Sequence, residues 1–201
     1  MKVKVCGITS FADAALALDQ GADALGFNFY RPSPRYIDPA SARSIVLRLP
    51  PFAVIVGVFV NVASPADVVQ AARHAGIQAL QLHGDESPAY CNSLSEWPLI
   101  KAVRIGNSPI PEDLAAFPVR AFLLDSKQDH LFGGTGSTFD WTLAAEIKKI
   151  RPIILAGGLK PENVAEAIRA VQPYAVDVCS GVESSPGRKD ARRLVEFMDE
   201  V

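Results

Sequence analysis

The chain has 201 residues, 49% hydrophobic and 21% charged, enough apolar matter for one buried core and too much for a disordered segment. A formal net charge of −2 at pH 7, from 20 Lys and Arg against 22 Asp and Glu, argues against nucleic acid or an anionic membrane as the partner. No apolar run approaches the roughly 18 residues of a membrane span.

The first element, Met1-Lys2-Val3-Lys4-Val5-Cys6-Gly7, already reads as a strand and is too short in its apolar part for a secretory signal. Apolar runs rich in Val, Ile, Leu and Phe then recur, ending near Cys6, Phe29, Val60, Leu82, Val103, Leu124, Ala156 and Val178. The ends are 23, 31, 22, 21, 21, 32 and 22 residues apart, the length of one strand–helix unit with short loops. Between them lie amphipathic stretches. Ser10 to Asp19 opens on a Ser-x-x-Asp cap and carries Phe11, Ala14, Ala15 and Leu18 at helical spacing. Asp140 to Ile150 and Pro161 to Val171 read as helices too, the latter with Pro in its first turn.

Strict alternation of strand and helix implies a parallel sheet. Eight units at near-constant pitch predict a single-domain (β/α)8 TIM barrel over residues 1–201, with an open doubly wound sheet as the alternative. Loops from helix to strand are terse. Two loops leaving strands are long, Tyr30 to Pro39 and Ser126 to Phe139, and Gly, Ser and charged residues gather there, as when one barrel face does the chemistry.

Strands covered on both faces should be apolar, so polar residues within them need a reason. Side-chain parity turns Lys4 and Cys6 into the lumen and Val3 and Val5 outward; it also sends Gln81, His83, Asp125 and Asp177 inward. These groups converge near the C-terminal strand ends. Each also has a plainer reading: Cys6 as core, Asp125 as the cap of a loop turn, and Lys4, Gln81, His83 and Asp177 as a satisfied polar layer. Two features favour a reactive Cys6, the helix that begins after Cys6-Gly7-Ile8-Thr9 and Lys4 two residues back, since both lower a thiol pKa. Cys91 reads as core. The cysteines are odd in number and lack metal-ligand spacing, so neither a disulfide scaffold nor a metal site is expected, and a cytoplasmic protein is.

Strand seven runs into Gly157-Gly158-Leu159 and strand eight into Cys179-Ser180-Gly181-Val182-Glu183. These glycines serve tight turns, or they let bare N–H groups cradle a phosphate; their pairing across adjacent strands favours phosphate, held by Gly157, Gly158, Ser180 and Gly181. Gly133-Gly134-Thr135-Gly136 reads as an anion contact, a lid hinge or a plain flexible loop. Arg35, in Ser33-Pro34-Arg35-Tyr36 with Pro32 close by, is a stiffened guanidinium suited to a carboxylate.

Taken together, Lys4-Val5-Cys6-Gly7-Ile8-Thr9, Gly26-Phe27-Asn28-Phe29, Ser33-Pro34-Arg35, Gly57-Val58-Phe59-Val60-Asn61, Gln81-Leu82-His83-Gly84, Leu124-Asp125, Ala156-Gly157-Gly158-Leu159 and Ser180-Gly181-Val182-Glu183 resemble phosphoribosylanthranilate isomerase from the first strand to the last helix. One departure is Cys179, where a small hydroxyl residue is more usual. The resemblance implies a cofactor-free Amadori rearrangement in tryptophan biosynthesis, with Cys6 as general base, Asp125 as general acid and Arg35 on the anthranilate carboxylate. His83 is a further substrate contact. The implied partner is a phosphorylated small molecule, and the family acts as monomer or homodimer. Rival readings are weaker. A metal-dependent epimerase needs more than one well-placed His, an aldolase needs a strand-end Lys for which Lys101 is the candidate, and a non-catalytic phosphate-binding module has no use for an acid and a base.

Overall fold

Eight strands pair in sequence order and close on themselves. They are β1 (Lys2–Cys6), β2 (Ala24–Asn28), β3 (Val54–Phe59), β4 (Ala79–Leu82), β5 (Leu99–Ile105), β6 (Ala121–Ser126), β7 (Ile153–Ala156) and β8 (Ala175–Val178). Closure runs through β8 on β1, with Val5 opposite Val178, so the sheet has no open edge and the doubly wound alternative is excluded. The computed structural model describes residues 1–105, 113–126 and 141–201. The Gly133-Gly134-Thr135-Gly136 segment and Asp140 lie outside the described residues.

β2 and β3 stop one residue short of the expected ends, while β5 and β6 each run two further. Their register continues through Arg104 opposite Asp125, which makes Asp125 a strand residue and not the cap of a turn.

The outer layer consists of α1 (Phe11–Asp19), α2 (Pro39–Val46), α3 (Pro65–Ala75), α4 (Pro88–Asn92), α5 (Trp141–Ile150), α6 (Pro161–Val171) and α7 (Ala191–Asp199). Ser10 caps α1 as its sequence predicts, accepting from Asp13 N at 3.1 Å. At α6 the Asn163 side chain accepts from Lys160 N at 2.9 Å. After β5, among the described residues, the return is a single 3-10 turn, Leu114–Ala116. A short hairpin, β9 (Glu183–Ser185) and β10 (Arg188–Lys189), follows β8; the strand count did not anticipate it.

The core is layered by strand parity. Val3, Val5, Leu25, Phe27, Leu80, Leu82, Phe122, Leu124, Val176 and Val178 pack outward with the helices. Inside lies a smaller cluster of Ala102, Ala121, Leu123, Ile154, Ala156 and Ala175. Small side chains fill the narrow lumen, and each large residue of the outer layer contributes about 1.5–3 kcal/mol by leaving water. No helix among the described residues is long and apolar enough to cross a membrane.

Candidate active site

A cavity of about 570 Å³ opens at the C-terminal ends of the strands. Cys6, Arg35, His83, Asp125, Gly157, Gly158 and Ser180 line it, together with Asn28, Tyr30, Gln81, Asp177 and Cys179. Of the expected site residues only Gly181 is not in the lining, and it lies one residue beyond Ser180.

Cys6 ends β1, with Lys4 on the same face one pleat below. Lys4 Nζ lies 2.8 Å from Asp177 Oδ1, and both side chains are buried. Burial works against the Lys4 ammonium, but Asp177 and Cys6 outweigh it and its pKa is raised. The Cys6 thiol is held well below its ordinary range, first by the hydrogen bond from Cys179, with burial opposing and the Lys4 ammonium adding. Burial pushes the Asp177 carboxyl up to about 7 despite Lys4. One buried cation thus serves two acids, and a charge on Cys6 disfavours a second on Asp177. The Cys179 thiol moves the opposite way, raised by its hydrogen bond to Cys6 and by burial.

Across the lumen, Asp125 Oδ2 lies 2.9 Å from His83 Nε2, and His83 Nδ1 lies 2.8 Å from Gln81 Nε2. With the amide nitrogen turned to Nδ1, the ring carries its proton on Nε2 and donates it to Asp125. Gln81 is buried and its Oε1 has no hydrogen-bond partner. A merely satisfied polar layer accounts for Lys4 and Asp177 but not for that oxygen.

The loop after β7 turns as tightly as its paired glycines suggest. Gly157 and Gly158 have φ of 84° and 64°, the left-handed region. A Cβ on Gly181 would come 1.8 Å from Leu159 O, so the loop after β8 lies directly on the loop after β7.

Arg35 is more firmly held than two prolines require. Its Nε bonds both oxygens of Glu183, at 2.9 and 3.0 Å, and Nη2 reaches Oε2 at 2.6 Å. Asn28 Nδ2 donates to Ser33 Oγ, which accepts from Arg35 N and braces the loop. Glu183 also accepts from Lys189 Nζ at 3.1 Å, and the same ammonium donates to Cys6 O at 2.6 Å and Cys179 O at 3.3 Å. The parity reading missed Glu183 and Lys189 because they lie beyond the last barrel strand, β8; charged residues clustered just after its glycine were the signal.

Lys101 faces out of the lumen. Its ammonium donates to Leu82 O, Gly84 O, Ala102 O and Glu86 Oε2, so it cannot serve as an aldolase lysine. Cys91 is core, as expected, and burial pushes its thiol up to about 11. Among the described residues no group of three or more His, Cys, Asp or Glu could hold a metal ion.

Known proteins resemble this chain along its whole length. Residues 3–200 match the family described as N-(5'phosphoribosyl)anthranilate (PRA) isomerase. The N-(5'-phosphoribosyl)anthranilate isomerase of Geobacter sulfurreducens is 49% identical over 198 residues, covering 98% of this chain and 97% of that protein. Phosphoribosyl anthranilate isomerase from Thermotoga maritima superposes with a TM-score of 0.88 at 43% identity, covering 100% of this chain and 98% of that one. Another such isomerase, solved with reduced 1-(o-carboxyphenylamino)-1-deoxyribulose 5-phosphate, gives 0.86 at 42% identity, covering 100% and 97%. A barrel whose acid and base candidates share one cavity, with relatives this close, belongs to the N-(5'-phosphoribosyl)anthranilate isomerase family, the aldose–ketose isomerases of tryptophan biosynthesis.

Proposed function

We propose that Cys6 is the general base and Asp125 the general acid of this isomerisation. Asp125 protonates the furanose ring oxygen of N-(5'-phosphoribosyl)anthranilate, and the ring opens to a protonated Schiff base. Cys6, as thiolate, takes the proton from C2 of the sugar and leaves an enolamine. Tautomerisation adds a proton at C1 and releases one from the 2-hydroxyl, which restores both groups. Each acid–base partner contributes roughly 10²–10⁴ in rate.

The observation that carries this reading is that Cys6 on β1 and Asp125 on β6 line one cavity from different sides of the barrel. The lowered Cys6 thiol suits a base. The His83 hydrogen bond holds the Asp125 carboxyl in place in the cavity lining. Arg35 holds the anthranilate carboxylate through donors left over from Glu183. Backbone N–H groups of Gly157, Gly158, Ser180 and Gly181 hold the phosphate, supported by the two loops packing against each other. Clamps at both ends keep the sugar between acid and base.

The reaction is an internal redox shift and calls for neither cofactor nor metal. The chain works in the cytoplasm on a phosphorylated small molecule, as monomer or homodimer. The test is turnover, followed by loss of anthranilate fluorescence without added metal. Cys6→Ala and Asp125→Asn should each lose about two orders of magnitude or more in kcat. Full activity in either variant removes that residue from the mechanism.

A further inference from the structure

We propose that Cys179 is a positioning residue for this isomerisation: its S–H donates to the Cys6 sulfur and keeps that sulfur ready to take a proton. The inference rests on Cys6 being the base.

β1 and β8 are paired up to Val5 opposite Val178, so Cys6 and Cys179 are the next residues along the same seam. Both line the cavity. The Lys189 ammonium, its side chain fully buried, bonds both their carbonyl oxygens and pins the two strand ends together. Gly7 makes the room: a Cβ there would stand 2.9 Å from Cys179 Sγ.

Two acceptors compete for the Cys179 proton. One is Glu183 Oε1, at 3.8 Å from the sulfur. That oxygen already receives Arg35 Nε, Lys189 Nζ and Gly187 N. It has little left to offer a weak S–H donor at that distance. The other is Cys6 Sγ, which as a thiolate is the stronger acceptor. Other charges that act on Cys6 are Lys4 from its own strand, Asp177 from β8, Lys189 from β10 and Arg35 from the loop after β2. A substitution at 179 leaves all of them in place.

The test compares wild type, Cys179→Ala and Cys179→Ser. Alkylation of Cys6 by iodoacetamide is followed against pH, with peptide mapping to separate Cys6 from Cys91 and Cys179, beside the pH profile of kcat/KM. Cys179→Ala should raise the Cys6 midpoint by about one pH unit, roughly a tenfold loss of thiolate on the acid side. The acid limb of kcat/KM should follow it. Cys179→Ser, which retains a donor, should stay within about half a unit of wild type. An unmoved midpoint in Cys179→Ala overturns the proposal and leaves Cys6 as base. Equal shifts in both variants overturn it as well, because packing alone then explains them. A midpoint that moves while the kcat/KM limb stays fixed overturns Cys6 as base, and the positioning role with it.

Discussion

Arg35 and Glu183 tie the loop after β2 to the segment after β8, with Nη2 2.6 Å from Oε2 and Nε bonded to both carboxylate oxygens. The Glu183 side chain is only 4% exposed, so this pair is well shielded from solvent. The carboxylate is kept below its usual range: burial opposes its charge, but Arg35 and Lys189 outweigh it. Glu183→Gln leaves Arg35 and Lys189 without their anion and frees the guanidinium to wander. We expect KM to rise about tenfold, with a smaller change in kcat, because a clamp acts on binding. Steady-state kinetics check this, and an unchanged KM would separate Arg35 from substrate.

Gly181→Ala tests the contact between the two glycine loops. A Cβ 1.8 Å from Leu159 O cannot be accommodated without moving backbone. The expected cost is about 3 kcal/mol, toward the upper end for overpacking, which for a chain of this size lowers Tm by about 6–12 °C. Thermal unfolding followed by circular dichroism reads it directly. A Tm within a degree of wild type would mean that the loops are not packed as described.

How much of this was legible in the sequence depends on what kind of contact each residue makes. Parity along a strand is local, so Lys4, Cys6, Gln81, His83, Asp125 and Asp177 could be turned into the lumen from their neighbours alone. Alternation of strand and helix carried the closed barrel in the same way. Arg35 with Glu183 and Lys189 with Cys6 are contacts across 148 and 183 residues, and no local period announces them. Arg35, whose sequence suggests a guanidinium for a substrate carboxylate, is already half of a shielded ion pair with Glu183. Lys101 shows the reverse: a strand lysine looked available, but the next pleat faces the helices and all its protons are spent there. The juxtaposition of Cys6 and Cys179 across the β1–β8 seam needed the barrel closure, which only the folded chain supplies.

Cysteine reactivity should separate Cys6 from Cys91. Cys6, with its pKa lowered, should react with iodoacetamide near neutral pH, where an ordinary thiol is mostly protonated. Cys91, buried in the core with its pKa pushed up to about 11, should stay unlabelled in the folded protein. Peptide mass mapping after brief labelling distinguishes them. Labelling of Cys91 at the rate of Cys6 would contradict the assignment.

Asp177 gives stability a pH dependence of definite sign. Its folded pKa, about 7, is above the ordinary value of 3.8, so the folded state holds its proton more tightly than the unfolded state. Its contribution is therefore full below pH 3.8 and is lost as pH rises through about 7. In Asp177→Asn this term is absent. The difference in unfolding free energy between wild type and variant should shrink over that window, measured by urea denaturation at fixed pH values. A difference that grows with pH would show the carboxyl to be an anion stabilised by Lys4 throughout.

The central claim is that the Cys6 sulfur and the Asp125 carboxyl act on one bound sugar from two sides. It is tested most directly by a crystal structure of this chain with reduced 1-(o-carboxyphenylamino)-1-deoxyribulose 5-phosphate and the distances measured in it. The account predicts C2 of the sugar chain about 3–4 Å from Cys6 Sγ, the hydroxyl oxygen derived from the furanose ring within hydrogen-bond reach of Asp125, and the phosphate on the N–H groups of the two glycine loops. A well-ordered ligand with its sugar out of reach of either side chain would contradict it.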